Sequence, residues 1–180
     1  MIPKSLRATR RTMLAGALAV PTLSGLAAWR WRHGEGRVLL HDAEIEAGRR
    51  FAEAGRAQGM QSQAIEGDRV RFMRQVLETR PALIAGVSRH AEMQLLADIA
   101  GEEGYLLAAE LEAKGRQCSG THCLPGWNAL ARLGRSAGAM WPEALAAYAV
   151  DPRGVLPQLA AAPARPDRGL VLGWILVPKA

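Results

Sequence analysis

The stretch RVLLHDAEIEAGRRFAEAGRAQG, residues 37–59, decides how this chain is to be read. RVLLHD, 37–42, is a short apolar run ending in polar side chains, the pattern of a strand buried on both faces. AEIEAGRRFAEAGRAQG, 43–59, changes period. Ile45, Gly48 and Ala52 fall on one face of a helix, Asp42 stands where an N-cap is wanted, and Gly59 closes the run.

The unit recurs along the chain. MQSQAIEG, 60–67, reads as a weaker strand, and DRVRFMRQVLETR, 68–80, as a helix capped by Asp68, with Val70, Met73, Val76 and Leu77 inward and Pro81 stopping it. ALIAGV, 82–87, is a third strand. SRHAEMQLLADIAGEEG, 88–104, is a helix with Ser88 as its cap and Met93, Leu96, Ile99 and Ala100 packing inward, and YLLAAELEA, 105–113, is a fourth strand. Strands too apolar for one-sided exposure, alternating with helices, imply a mostly parallel sheet covered on both faces. With right-handed crossovers this is a small α/β doubly wound fold, Rossmann-like or flavodoxin-like.

Regularity ends after residue 112. The part 113–168 reads as an irregular insertion with a cysteine loop and short helical patterns at 127–135 and 142–150, and AAAPARPDRG, 160–169, as a flexible connection. GLVLGWILV, 169–177, is too short to span a membrane and supplies a fifth strand, central or antiparallel. One domain, 37–180, is therefore expected, preceded by a basic, Gly-containing linker at 29–36.

Open parallel sheets bind ligands beyond the carboxyl ends of their strands. Those ends carry His41 and Asp42, then Glu66 and Asp68, then Ser88, Arg89 and His90. A rim of imidazole, carboxylate, hydroxyl and guanidinium suits proton transfer or ligand binding. The catalytic candidates are His41, Ser88 and His90; Asp42, Glu66, Asp68 and Arg89 are binding candidates. Asp42, Asp68 and Ser88 are also what three helix caps would require. Gly86-Val87-Ser88-Arg89-His90 lacks the second glycine of a nucleophile elbow.

No cofactor or metal is expected. Gly34-Glu35-Gly36 precedes the first strand, where it cannot set a pyrophosphate at a helix start, and the chain has no Walker loop and no haem motif. Cys118 and Cys123 close the loop CSGTHC. In an oxidising compartment this spacing reads as a disulfide; a redox-active pair is the other reading, and a metal site would need His122 and a fourth ligand. Trp127, Trp141 and Trp174 could stack on a ligand, although such rings more often pack in a core or groove.

Lys4, Arg7, Arg10 and Arg11 precede an apolar run from Met13 to Ala28, with no acid before Glu35. This is a leader of n-region and h-region, residues 1–28, either cleaved or retained as an N-terminal anchor. Thr9-Arg10-Arg11-Thr12-Met13-Leu14 resembles the twin-arginine export signal: a hydroxyl residue, paired arginines, a free position, then two large apolar residues. The resemblance implies passage through the twin-arginine translocation machinery in a folded state, a periplasmic location, and membrane association that is transient or confined to the N-terminal segment.

The formal charge of +6 belongs largely to that leader, and the remainder, with 19 bases and 17 acids, is +2. No basic stripe with interleaved aromatics follows residue 37, so a nucleic-acid partner is not expected. Two functions fit. One is an exported module that binds a small ligand or another exported protein, as an accessory to an exported redox enzyme. The other is a periplasmic hydrolase or transferase working at the strand-end rim. Replacing Arg10 and Arg11 together by Lys is expected to hold the chain in the cytoplasm with its folding unaffected. Cell fractionation checks this, and undiminished arrival of the double variant in the periplasm would reject the twin-arginine reading.

Overall fold

The computed structural model describes residues 36–112, 124, 127–151 and 167–179; the leader, Cys118 and Cys123 lie outside the described residues, and with them the export and disulfide expectations. The elements run β1 (Arg37–His41), α1 (Glu46–Ala57), β2 (Ser62–Ala64), α2 (Arg69–Glu78), β3 (Leu83–Arg89), α3 (His90–Glu102) and β4 (Tyr105–Glu112). After these come α4 (Asn128–Ala137), a 3-10 turn (Gly138–Met140), α5 (Trp141–Val150) and β5 (Val171–Pro178). They form an α/β structure with one mixed five-stranded sheet of order β2-β1-β3-β5-β4. β2, β1 and β3 are mutually parallel, while β5 is inserted antiparallel between β3 and β4. The last strand is thus both central and antiparallel.

The apolar runs are continuous because both sheet faces are covered. Leu39, Ala85, Val87 and Ile175 pack with Phe51 of α1, Leu130 of α4 and Leu145 of α5. Leu40, Ile84, Leu172 and Trp174 pack with Met73 of α2 and Leu96 of α3 on the other face. β4 changes allegiance along its length. Tyr105 belongs to the α2/α3 core and Leu111 to the α4/α5 core, because a register shift between Leu107 and Ala109 reverses the alternation. Half-buried Arg50 of α1 and Glu143 of α5 add a two-bonded ion pair, 2.6 and 2.7 Å, across the first layer.

Two glycines let aromatic rings approach the sheet. A Cβ on Gly86 would lie 2.2 Å from the Trp174 ring, and one on Gly173 would lie 2.7 Å from both Trp141 and Leu145. Gly86 and Trp174 are cross-strand partners, so the ring of one strand lies over the bare backbone of the next. The indole Nε1–H donates to Ser88 Oγ at 3.0 Å, and the Ser88 hydroxyl donates to the Arg89 carbonyl at 3.3 Å. Trp127, Trp141 and Trp174 are all buried, which makes them core and not a stacking surface.

The caps differ from the sequence reading in two places. Asp68 does cap α2, accepting from the Val70 and Arg71 amides at 2.9 and 3.1 Å. Asp42 instead closes a turn, accepting from the Glu44 amide at 2.9 Å, and α1 begins after Ile45 with no side-chain cap of its own. Ser88 is not a cap either: β3 runs on through Arg89, and α3 starts at His90 without a loop between them. Val70, expected inward, is 40 % exposed. It sits in the first turn of α2, where Asp68 and not packing fixes the helix start.

Gly86→Ala is expected to lower stability by about 1–3 kcal/mol, because the added methyl must displace the buried Trp174 ring. Ser88→Ala should cost about 1–3 kcal/mol by leaving a buried indole N–H without an acceptor. Urea unfolding of both variants checks this, and a Gly86→Ala chain as stable as the parent would show that the ring is not seated there.

Candidate functional site

β1 and β2 end level with one another at His41 and Ala64, and β3 runs two residues past Val87, the partner of His41, to Arg89. Beyond the strands the main chain ties these ends together. The Asp42 amide donates to the Val87 carbonyl at 2.9 Å, and the Ile65 amide donates to the His41 carbonyl at 2.8 Å. Here α1 leaves toward one face and α2 and α3 lie on the other, which is the geometry that opens a crevice in an open α/β sheet.

The side chains at this edge fall into two hydrogen-bonded groups, one around His41 and one around Asp42. His41 Nδ1 and Ser62 Oγ form a hydrogen bond of 2.9 Å between β1 and β2. Burial pushes the imidazole below its ordinary value. A main-chain bond to Gln63 and the charges of Asp42 and Glu66 act against that, and the Arg56 charge acts with it.

The other group is a network of alternating charge. Asp42 is 6 % exposed, and its Oδ2 accepts from the Arg89 guanidinium at 2.6 Å. The same guanidinium lies 3.4 Å from the Glu44 carboxylate at the exposed end of the network. Beside it, Arg69 Nε donates to Glu92 Oε1 at 2.9 Å. The second carboxylate oxygen, Oε2 of Glu92, is buried and has no hydrogen-bond partner among the described residues. Burial pushes the Glu92 carboxyl up, Asp42 adds to the rise, and Arg69 and Arg89 oppose it.

Of the residues anticipated for the rim, Asp42 and Arg89 are joined directly. Ser88 is fully buried and holds Trp174, which removes it as a nucleophile. Asp68 serves α2 as its cap. Glu66 and His90 are exposed, and the His90 amide donates to the Leu170 carbonyl at 3.0 Å. His41 bonds Ser62 and Asp42 bonds Arg89, and no hydrogen bond joins His41 to Asp42 among the described residues.

Four contributors were not anticipated. Glu92 and Arg69 each lie in a first helical turn just past a strand end, a position the alternating pattern does mark. Ser62 lies inside the weak strand. Asp167 carries no local signal at all: its two oxygens accept from the Glu46 and Ala47 amides at 2.7 and 2.9 Å, so a residue far along the chain caps α1. Among the described residues no three His, Cys, Asp or Glu side chains gather as a metal site, and no described helix is long and apolar enough to cross a membrane. No protein-family model, curated protein or solved structure matches this chain.

Chemically, the α2/α3 side offers a buried acceptor oxygen, a carboxyl biased toward its protonated form, and two partly exposed guanidinium groups. The two perturbed groups predict opposite pH dependences. His41, lowered in the folded chain, contributes stability that is complete above the ordinary imidazole value of about 6.5 and is lost as pH falls through the folded value. Glu92, raised in the folded chain, contributes stability that is complete below the ordinary carboxyl value of about 4.3 and is lost as pH rises through the folded value. Relative to the parent, His41→Gln should therefore lose stability as pH rises toward neutrality, and Glu92→Gln should gain it from mildly acidic pH upward. Chemical denaturation across this range checks both slopes; parallel curves for parent and variants would contradict them.

Proposed function

We infer that this chain is an exported α/β module whose task is to bind a small polar ligand at the carboxyl edge of β1, β2 and β3. The observation that carries the reading is the buried Glu92 Oε2, which has no donor among the described residues, in a network whose other carboxylate and guanidinium groups are paired. An unpaired buried acceptor is costly, and a ligand N–H or O–H would relieve that cost. The ligand class is a compact molecule with such a donor, small enough to enter between the first turns of α2 and α3.

The order β2-β1-β3 with helices on both faces supports the flavodoxin-like variant of the doubly wound fold over the Rossmann-like one. The leader supports export through the twin-arginine machinery to the periplasm, with the N-terminal segment as cleaved signal or membrane anchor. A second exported protein, such as a redox enzyme to which this module is accessory, is the macromolecular partner that route suggests. The raised Glu92 carboxyl favours one second reading, a hydrolase or transferase working at this edge with Glu92 as its proton donor.

The test is an NMR titration of the isotope-labelled chain with amino acids, hydroxy acids, simple sugars and nucleosides. A ligand is expected to shift Asp42, Arg69, Arg89 and Glu92 first. Glu92→Gln should weaken it about tenfold, the worth of one hydrogen bond, although the variant is itself no less stable than the parent. Binding indifferent to Glu92, or no binding at this edge by any of these molecules, would remove the proposal.

A further inference from the structure

The residues immediately before β5 cross the same edge. Asp167 spans the Glu46 and Ala47 amides at the start of α1, and the Leu170 carbonyl takes the His90 amide at the start of α3. α1 and α3 lie on opposite faces of the sheet, so these bonds tie the two layers together across the ends of β1 and β3.

What holds this segment is polar. Arg168, Gly169 and Leu170 are exposed, Leu170 to 50 %, whereas Val171 and Leu172 are fully buried. Burial therefore begins abruptly at the first residue of β5. Segments with few buried apolar contacts and exposed hydrogen bonds occupy the low end of the range of local opening energies. The sheet itself depends on β5, which lies between β3 and β4 and pairs with both over Leu172–Leu176. Burial and not hydrogen bonding marks the boundary, because the His90–Leu170 bond stands one rung beyond the Arg89–Val171 pair.

We propose that Asp167–Leu170 is a strap that opens as one unit while β5 stays in the sheet, exposing the starts of α1 and α3 together. Its role as a gate rests on the rim being the ligand site; its opening as a unit does not. In this arrangement Asp167 does more than cap α1. It is the remote end of a latch whose other end is the Leu170 carbonyl, and releasing one end frees the other.

Residue-resolved amide hydrogen exchange on the full chain, in the absence of ligand, tests this. In Asp167→Ala the Glu46 and Ala47 amides should exchange about tenfold faster, the effect of losing a cap. The decisive result is at His90, which Asp167 does not touch: its exchange should rise by a similar factor, with Ile175 in β5 unchanged. A His90 amide that keeps its parent rate would reduce Asp167 to a local cap and overturn the strap. A rise at Ile175 matching that at His90 would also overturn it, since β5 would then be leaving as well. Should the variant fold poorly, native-state exchange of the parent in low denaturant decides the matter. Glu46, Ala47 and His90 must share one opening constant, larger than that of Ile175, and separate constants count against the proposal. Ligand titration is not involved, so failure of the binding reading leaves these outcomes intact.

Discussion

The seat of Trp174 on Gly86 constrains the rest of the molecule. A parallel β1-β3 pair could accept further parallel strands, yet this chain places an antiparallel strand directly beside β3. The register is held by a large ring that fits only where the neighbouring strand has no side chain, and by an indole N–H with a buried hydroxyl within reach. A slip of one residue would turn Trp174 to the opposite face and set it against Val87 or Ala85 in place of Gly86. It would also bring Gly173 round to the wrong layer, away from Trp141. The two glycine notches therefore specify one pairing from both faces of the sheet.

The edge chemistry follows from that pairing. Because β5 runs against β3, its first residue, Val171, stands opposite Arg89 at the carboxyl end of β3. Whatever precedes Val171 must land on the edge where β1, β2 and β3 terminate. A parallel fifth strand would have started at the far edge and left the starts of α1 and α3 to other partners. Asp167 can cap α1 because the strand that follows it is inverted.

Most of the layered architecture was legible because it rests on local pattern. The helix over 43–59, the Asp68 cap and the inward set Met93, Leu96, Ile99 and Ala100 needed only periodicity and turn chemistry, and Met93, Leu96, Ile99 and Ala100 are indeed buried. Pairs made by tertiary structure were not legible. Ser88 reads as a cap because a hydroxyl before a helix usually is one, and nothing nearby announces that an indole 86 residues later will claim it. Asp42 reads as a cap for the same reason, until Arg89 and the remote Asp167 divide the work between them. The rim was found from the ends of strands, but its division was missed: His41 bonds Ser62 of β2, whereas Asp42 pairs with Arg89 of β3.

That division also determines what the edge presents to its surroundings. In one group, burial keeps the imidazole of His41 inclined to be neutral; in the other, burial inclines Glu92 toward its neutral form as well. The two shifts have opposite signs and the same cause, desolvation of a charge. Asp42 and Arg89 are matched as an ion pair at 2.6 Å, with Glu44 and the outer part of Arg89 reaching solvent. The density of titratable residues at this edge thus translates into little unbalanced buried charge. A strongly ionic partner would have to displace an existing pair and bear its desolvation cost. A neutral donor reaching Glu92 Oε2 breaks no ion pair, so hydrogen bonding and fit are the terms by which this edge discriminates.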